Sequence, residues 1–129
     1  MIAWLLLLVL ASAQGVAAEP RGASPSAFAG AWAGQWQAKD STASGPVEVI
    51  FTDGTNRGSI VAQFTFMQGA KVLTSRREGT AIDGHVRFEA PDDGEIVLRM
   101  EGPGRLVGDF GGGPTLPAEQ GALELDRAR

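Results

Sequence analysis

The sequence predicts an all-β fold: an antiparallel, eight-stranded up-and-down meander closed into a small barrel, with a meandering β-sandwich as the alternative. Three observations carry that expectation. Short runs of alternating apolar and polar residues fill the chain from residue 30 onward, the period-2 pattern of half-buried strands. Turn-forming dipeptides separate them, drawing on a supply of 18 Gly and 7 Pro. No stretch shows the 3.6-residue apolar spacing of a helix.

The chain begins with an address. Ile2 to Leu10 is an almost unbroken apolar run, followed by Ala11-Ser12-Ala13 and Val16-Ala17-Ala18. Both small-residue stretches suit a signal peptidase. The reading favours cleavage after Ala18, where Glu19-Pro20 starts the polar chain, with cleavage after Ala13 as the alternative. The run is shorter than the roughly 20 apolar residues of a spanning helix, so no membrane span is expected after cleavage. Residues 19–29, rich in Pro, Ala, Ser and Gly, read as a flexible leader with Phe28 tucking onto the domain. Residues 30–129 then form one domain.

Eight runs follow, at 31–39, 47–52, 59–68, 71–81, 85–90, 95–101, 105–110 and 122–127. A two-residue turn at Gly69-Ala70 pairs Phe66 with Leu73, Phe64 with Ser75 and Ala62 with Arg77. A second at Asp83-Gly84, a type I′ dipeptide, pairs Ala81 with Val86 and Gly79 with Phe88. The two independent turns agree in putting Phe64, Phe66, Leu73, Val86 and Phe88 on one face. A four-residue loop at 54–57 sets Val47, Val49 and Phe51 against Phe64, Ala62 and Ile60. A three-residue loop, Gly102-Pro103-Gly104, sets Met100 against Leu106 and Glu101 against Arg105. The last run adds Leu123 and Leu125, with Arg127 on the same side. Eight strands sharing one apolar face bury it by curling, and closure also removes exposed edges.

Composition excludes several functions. The chain has no cysteine and no tyrosine, and a single histidine. Disulfides, thiolate metal sites, a cysteine nucleophile and a lipidated-cysteine anchor are therefore out. Net charge is −4, which gives no basic face for nucleic acid. No cofactor and no metal are expected. His85 faces outward without a second ligand, Asp92, Asp93 and Glu95 suit a turn, and Ser75 has no histidine on its face. The chain reads as secreted or periplasmic, not lipidated, and not an enzyme.

The first run carries Gly30-Ala31-Trp32 and Gly34-Gln35-Trp36, and the last ends Leu123-Glu124-Leu125-Asp126-Arg127. In these end strands the chain resembles the calycin superfamily, the lipocalin-like and avidin-like barrels. The resemblance implies that Trp32 plugs the barrel floor and Arg127 covers it, with Trp36 in the repeated Gly-x-Trp. The chain also looks like small exported barrel inhibitors of bacterial metalloproteases. Their N-terminal segment enters the protease cleft, as the leader here could; their disulfide has no counterpart.

Arg77 is the foremost candidate for binding. The register points it inward, opposite Ala62 and beside Ser75 and Gly79, in a cup lined by Phe64, Phe66 and Phe88. There a guanidinium can grip the acidic head group of a small amphipathic ligand. The structural alternatives are a side chain that snorkels to the rim or a bulge that turns it outward. Ile50, Val61, Met67 and Val72 fall on the outer face and suggest a protein partner or homodimer patch. The expected function is that of a non-catalytic exported barrel binding a small amphipathic ligand or an envelope partner. The alternatives are a protease inhibitor acting through its N-terminal arm and, last, a small hydrolase.

Overall fold

A computed structural model describes residues 28–90 and 92–128; the expected signal peptide and most of the leader lie outside them. The strands are β1 (Gly30–Ala38), β2 (Ser44–Asp53), β3 (Ser59–Gln68), β4 (Lys71–Ile82), β5 (His85–Glu89), β6 (Glu95–Gly102), β7 (Arg105–Gly111) and β8 (Gln120–Arg127). Each pairs antiparallel with its neighbour in sequence, and β1 closes on β8, from Trp32↔Arg127 to Ala38↔Gly121. The barrel is therefore closed. No helix appears among the described residues, and none there is long and apolar enough to cross a membrane.

The hairpins on either side of β4 have the expected register, with Phe66↔Leu73, Phe64↔Ser75, Ala62↔Arg77, Gly79↔Phe88 and Ala81↔Val86. Two others differ. Between β2 and β3 the pairs are Val47↔Phe66, Val49↔Phe64 and Phe51↔Ala62, two residues away from the expected register. The turn still has four residues but lies one position later, at 55–58: the Gly54 amide bonds the Ser59 carbonyl at 3.1 Å, and Gly58 adopts φ +82° before Ser59 re-enters the ladder. Between β6 and β7 the partner of Arg105 is Gly102, with a bulge between Met100 and Gly102. The extra residue at Glu101 makes this a two-residue turn, Pro103-Gly104. Arg105 Nε still donates to Glu101 Oε1 at 3.1 Å, and the guanidinium also meets Glu124 and Asp126.

Every second residue points into the barrel, and the core is filled along its length. An unbroken chain of rings runs through it: Phe28 and Trp32 meet Phe51 at 5.8 and 6.4 Å, and Phe51 stacks on Phe88 at 6.2 Å. Phe88 meets Phe64 edge-on at 5.5 Å, Phe64 stacks on Phe66 at 5.9 Å, and Phe66 meets Phe110 at 5.8 Å. Such pairs contribute about 0.5–1.5 kcal/mol each beyond their buried area. Branched aliphatics from the other strands, among them Val47, Val49, Ile96, Leu98, Leu106, Leu123 and Leu125, pack around this column with no exposed surface to speak of.

Candidate functional site

At the floor, the Trp32 indole N–H donates to the Phe28 carbonyl at 2.9 Å, and Phe28 is fully buried. The Arg127 guanidinium carbon lies 4.4 Å from the Trp32 ring centroid, and its Nη1 donates to the Ala29 carbonyl at 2.8 Å. Trp32 and Arg127 thus meet as the resemblance implied, because pairing across the β1–β8 seam makes them direct partners. Trp36 sits four residues further along the same face of β1 and is fully buried. Its indole N–H crosses β2 to reach the Met67 carbonyl on β3 at 2.9 Å. That path exists because Gly45 is the intervening residue: a Cβ there would lie 2.2 Å from the Met67 oxygen and 2.9 Å from the indole nitrogen.

The five residues expected to line a ligand cup do converge, but on one another. Phe64, Phe66 and Phe88 have no exposed surface, Ser75 retains 5% and Arg77 4%. Arg77 points inward, and neither a bulge nor a route to the rim releases it. Nε donates to Ser75 Oγ at 2.8 Å, Nη1 to the Gly94 carbonyl at 3.2 Å, and Nη2 to the Asp93 carbonyl at 2.6 Å. Nη2 also pairs with the Asp93 carboxylate at 3.2 Å. Burial pulls the guanidinium below its ordinary range, and Asp93 pushes it back up. All three guanidinium nitrogens are engaged within the chain, which holds the β5–β6 turn against the barrel wall.

That turn in turn holds the long β7–β8 loop. The Asp93 carboxylate accepts from the Thr115 amide at 3.0 Å and from the Thr115 hydroxyl. On the opposite wall, Gln68 Nε2 donates to the Pro117 carbonyl at 2.8 Å. Leu116, between those two anchors, is buried in the core cluster, with Ala118 packed against it. The loop so covers this end of the barrel. Beside it an open cleft of about 1110 Å³ runs past Lys39, Asp40, Asp109 and Glu119. Asp93, Thr115, Leu116 and Gln68 were not among the expected site residues. One signal could have found Asp93: an inward Arg in a barrel calls for a carboxylate, and the Asp92-Asp93 turn is the acidic segment near it in the meander.

The outer residues do not form one patch. Met67 and Val72 are direct partners, and Val72 is 59% exposed; Ile50 is 52% exposed but pairs with Gln63. The row Glu48–Thr65–Thr74 runs between them. Val61 is only 6% exposed, closed in between Thr52 and Glu78. His85 is exposed, with Nδ1 3.2 Å from the Asp83 carbonyl. Among the described residues no group of three or more His, Cys, Asp or Glu could hold a metal ion.

No family model matches the chain, and no curated protein matches it. Among solved structures a redesigned β-barrel is similar, with a TM-score of 0.63 and 10% identity over 82% of this chain and 96% of that one. At that identity the likeness shows the fold alone: a small closed antiparallel barrel.

Proposed function

We propose that this chain is an exported, non-catalytic β-barrel of calycin type that binds a protein partner of the cell envelope through its outer surface. The observation that carries this reading is the aromatic column from Phe28 to Phe110, which occupies the space where a small ligand would sit. Arg77 supports it, since each of its three guanidinium nitrogens already donates within the chain, to Ser75, Gly94 and Asp93. Export rests on the apolar run before Ala18, and calycin type on the Trp32–Arg127 contact. Absence of catalysis rests on an exposed histidine whose Nδ1 lies 3.2 Å from the Asp83 backbone carbonyl.

Native mass spectrometry of the protein purified from its exporting host, before and after denaturation, tests the reading. The expected result is one mass, beginning at Glu19, with nothing released. A released amphipathic molecule would refute it. Burial of Phe28 beneath the barrel favours the inhibitor as a second reading, because it fixes where a preceding segment joins the domain. Deleting residues 19–27 should then abolish inhibition of a metalloprotease panel while leaving the melting temperature within about 2 °C.

A further inference from the structure

Phe28, Trp32 and Arg127 close the floor of the barrel. The other end is closed by an element of a different kind, the loop between β7 and β8. Its two ends are pinned together. Gly111 pairs with Gln120 as the last rung of the ladder, and the Gly112 amide bonds the Glu119 carbonyl at 3.0 Å. Residues 113–118 project beyond this neck and belong to no strand.

The projecting piece is stiff within itself. The Leu116 amide bonds the Gly113 carbonyl at 3.2 Å, which closes a four-residue turn with Pro114 in its second position; Pro117 follows. Two prolines in so short a piece fix φ and leave few torsions to vary. Freedom is concentrated at the neck, where Gly111, Gly112 and Gly113 stand in a row and Gly112 adopts φ +89°.

Side chains, not ladders, hold the piece down. Thr115 meets the Asp93 carboxylate twice, through its amide at 3.0 Å and through its hydroxyl, and Gln68 Nε2 reaches the Pro117 carbonyl at 2.8 Å. Leu116 and Pro117 are buried, whereas Pro114 is exposed. Glycine permits the closed fit. A Cβ at Gly113 would lie 2.2 Å from the Asp93 carbonyl oxygen and 2.3 Å from its Oδ1. The piece therefore seats its backbone directly on the β5–β6 turn, which Arg77 holds through the Asp93 and Gly94 carbonyls.

We infer that residues 113–118 are a latched lid, which leaves the end of the barrel as one piece while all eight strands stay paired. Opening breaks the two Thr115–Asp93 bonds and the Gln68–Pro117 bond and lifts Leu116 out; no rung of the barrel is lost. It belongs with the low-cost local openings of a folded chain, well below global unfolding. The cleft of about 1110 Å³ beside the lid already reaches Phe110 and Leu116, so opening joins that cleft to the end of the core. The latch is also tied to the interior, because one carboxylate serves both Thr115 and buried Arg77. The inference goes beyond the outer-surface reading and holds whatever that surface binds.

The chain has no cysteine, so Leu116→Cys supplies a single thiol whose labelling reports opening. Its labelling rate should show only a small fraction of the urea dependence of global unfolding, since that dependence scales with the surface exposed. In the same variant, exchange of the Thr115 amide should give the same opening equilibrium as the thiol. Adding Thr115→Val removes a hydroxyl bond to a carboxylate and should speed labelling about tenfold. Adding Gly113→Ala sets a methyl against Asp93 and should hold the lid open, with labelling near the rate of a free thiol and the ladder amides still protected. In the 15N-labelled parent the Thr115 amide should exchange about a hundredfold faster than the ladder amides of β7 and β8. Labelling with the full urea dependence of unfolding would overturn the inference. So would different opening equilibria at Thr115 and the thiol, or unchanged labelling in Gly113→Ala. A Gly113→Ala protein that unfolds would overturn it as well, because a lid that opens alone can be held open without loss of the strands.

Discussion

Replacing Arg77 by methionine separates a structural guanidinium from one held ready for a ligand. The substitution keeps the apolar stem and removes three hydrogen bonds, to Ser75, Gly94 and Asp93, together with the 3.2 Å ion pair. Removing one partner of a buried pair costs about 3–5 kcal/mol when the other charge stays buried. Here the Asp93 side chain is 20% exposed and can recruit water, so the low end applies, about 3 kcal/mol. That is a large part of the roughly 5–15 kcal/mol that holds a small domain together. It corresponds to a fall of about 12–24 °C in melting temperature at 4–8 °C per kcal/mol.

The converse substitution, Asp93→Ala, strands a guanidinium whose side chain has no exposure and also frees Thr115, so it should cost at least as much, about 4 kcal/mol. Urea unfolding followed by fluorescence of Trp32 and Trp36 measures both, and the double mutant should fall well short of the sum of the singles. An Arg77→Met protein within about 1 kcal/mol of the parent would refute the reasoning. So would an Asp93→Ala protein clearly more stable than Arg77→Met. Either result would return the guanidinium to the pool of groups available for binding.

Arg127→Met should cost about 1–2 kcal/mol, since it removes the cation–π contact and the Ala29 hydrogen bond at a partly exposed site; thermal melting reads the difference. Glu78 is held below its ordinary carboxylate range, first by the Thr55 amide, then by the Ser59 and Thr55 hydroxyls. A depressed folded value stabilises above the unfolded one, near 4.5, and that contribution disappears as pH falls through the folded value. Amide exchange at Thr55 should accelerate over that acidic window in the parent and show no such step in Glu78→Gln. Gly45→Ala should cost about 2 kcal/mol or more, because the new methyl meets the Met67 oxygen and the Trp36 indole; a red-shifted tryptophan emission would mark the displaced ring.

Where the sequence succeeded and where it failed follows from one property of strands. A side-chain period of 2 makes facing a matter of parity, so a register error of two residues leaves every side chain on its correct face. The β2–β3 pairing shows this: Val49 faces Phe64 and not Ala62, yet Val47, Val49 and Phe51 still point into the core. Inward facing of Arg77 was legible for the same reason, since Ala62↔Arg77 follows from one two-residue turn. What Arg77 does was not legible, because its partners come from a turn 16 and 17 residues away that follows no period. The state of the cup was hidden too. Alternation reads the same in a hollow barrel and a filled one, and only the ring-to-ring distances distinguish them. Strand length was legible at the β4–β5 hairpin: the runs at 71–81 and 85–90 already set a long strand against a short one, and the strands have twelve residues and five. One buried cation therefore has two consequences. It takes up the space and the donors that a ligand would need, and it ties the β5–β6 turn to the barrel wall through the Asp93 and Gly94 carbonyls.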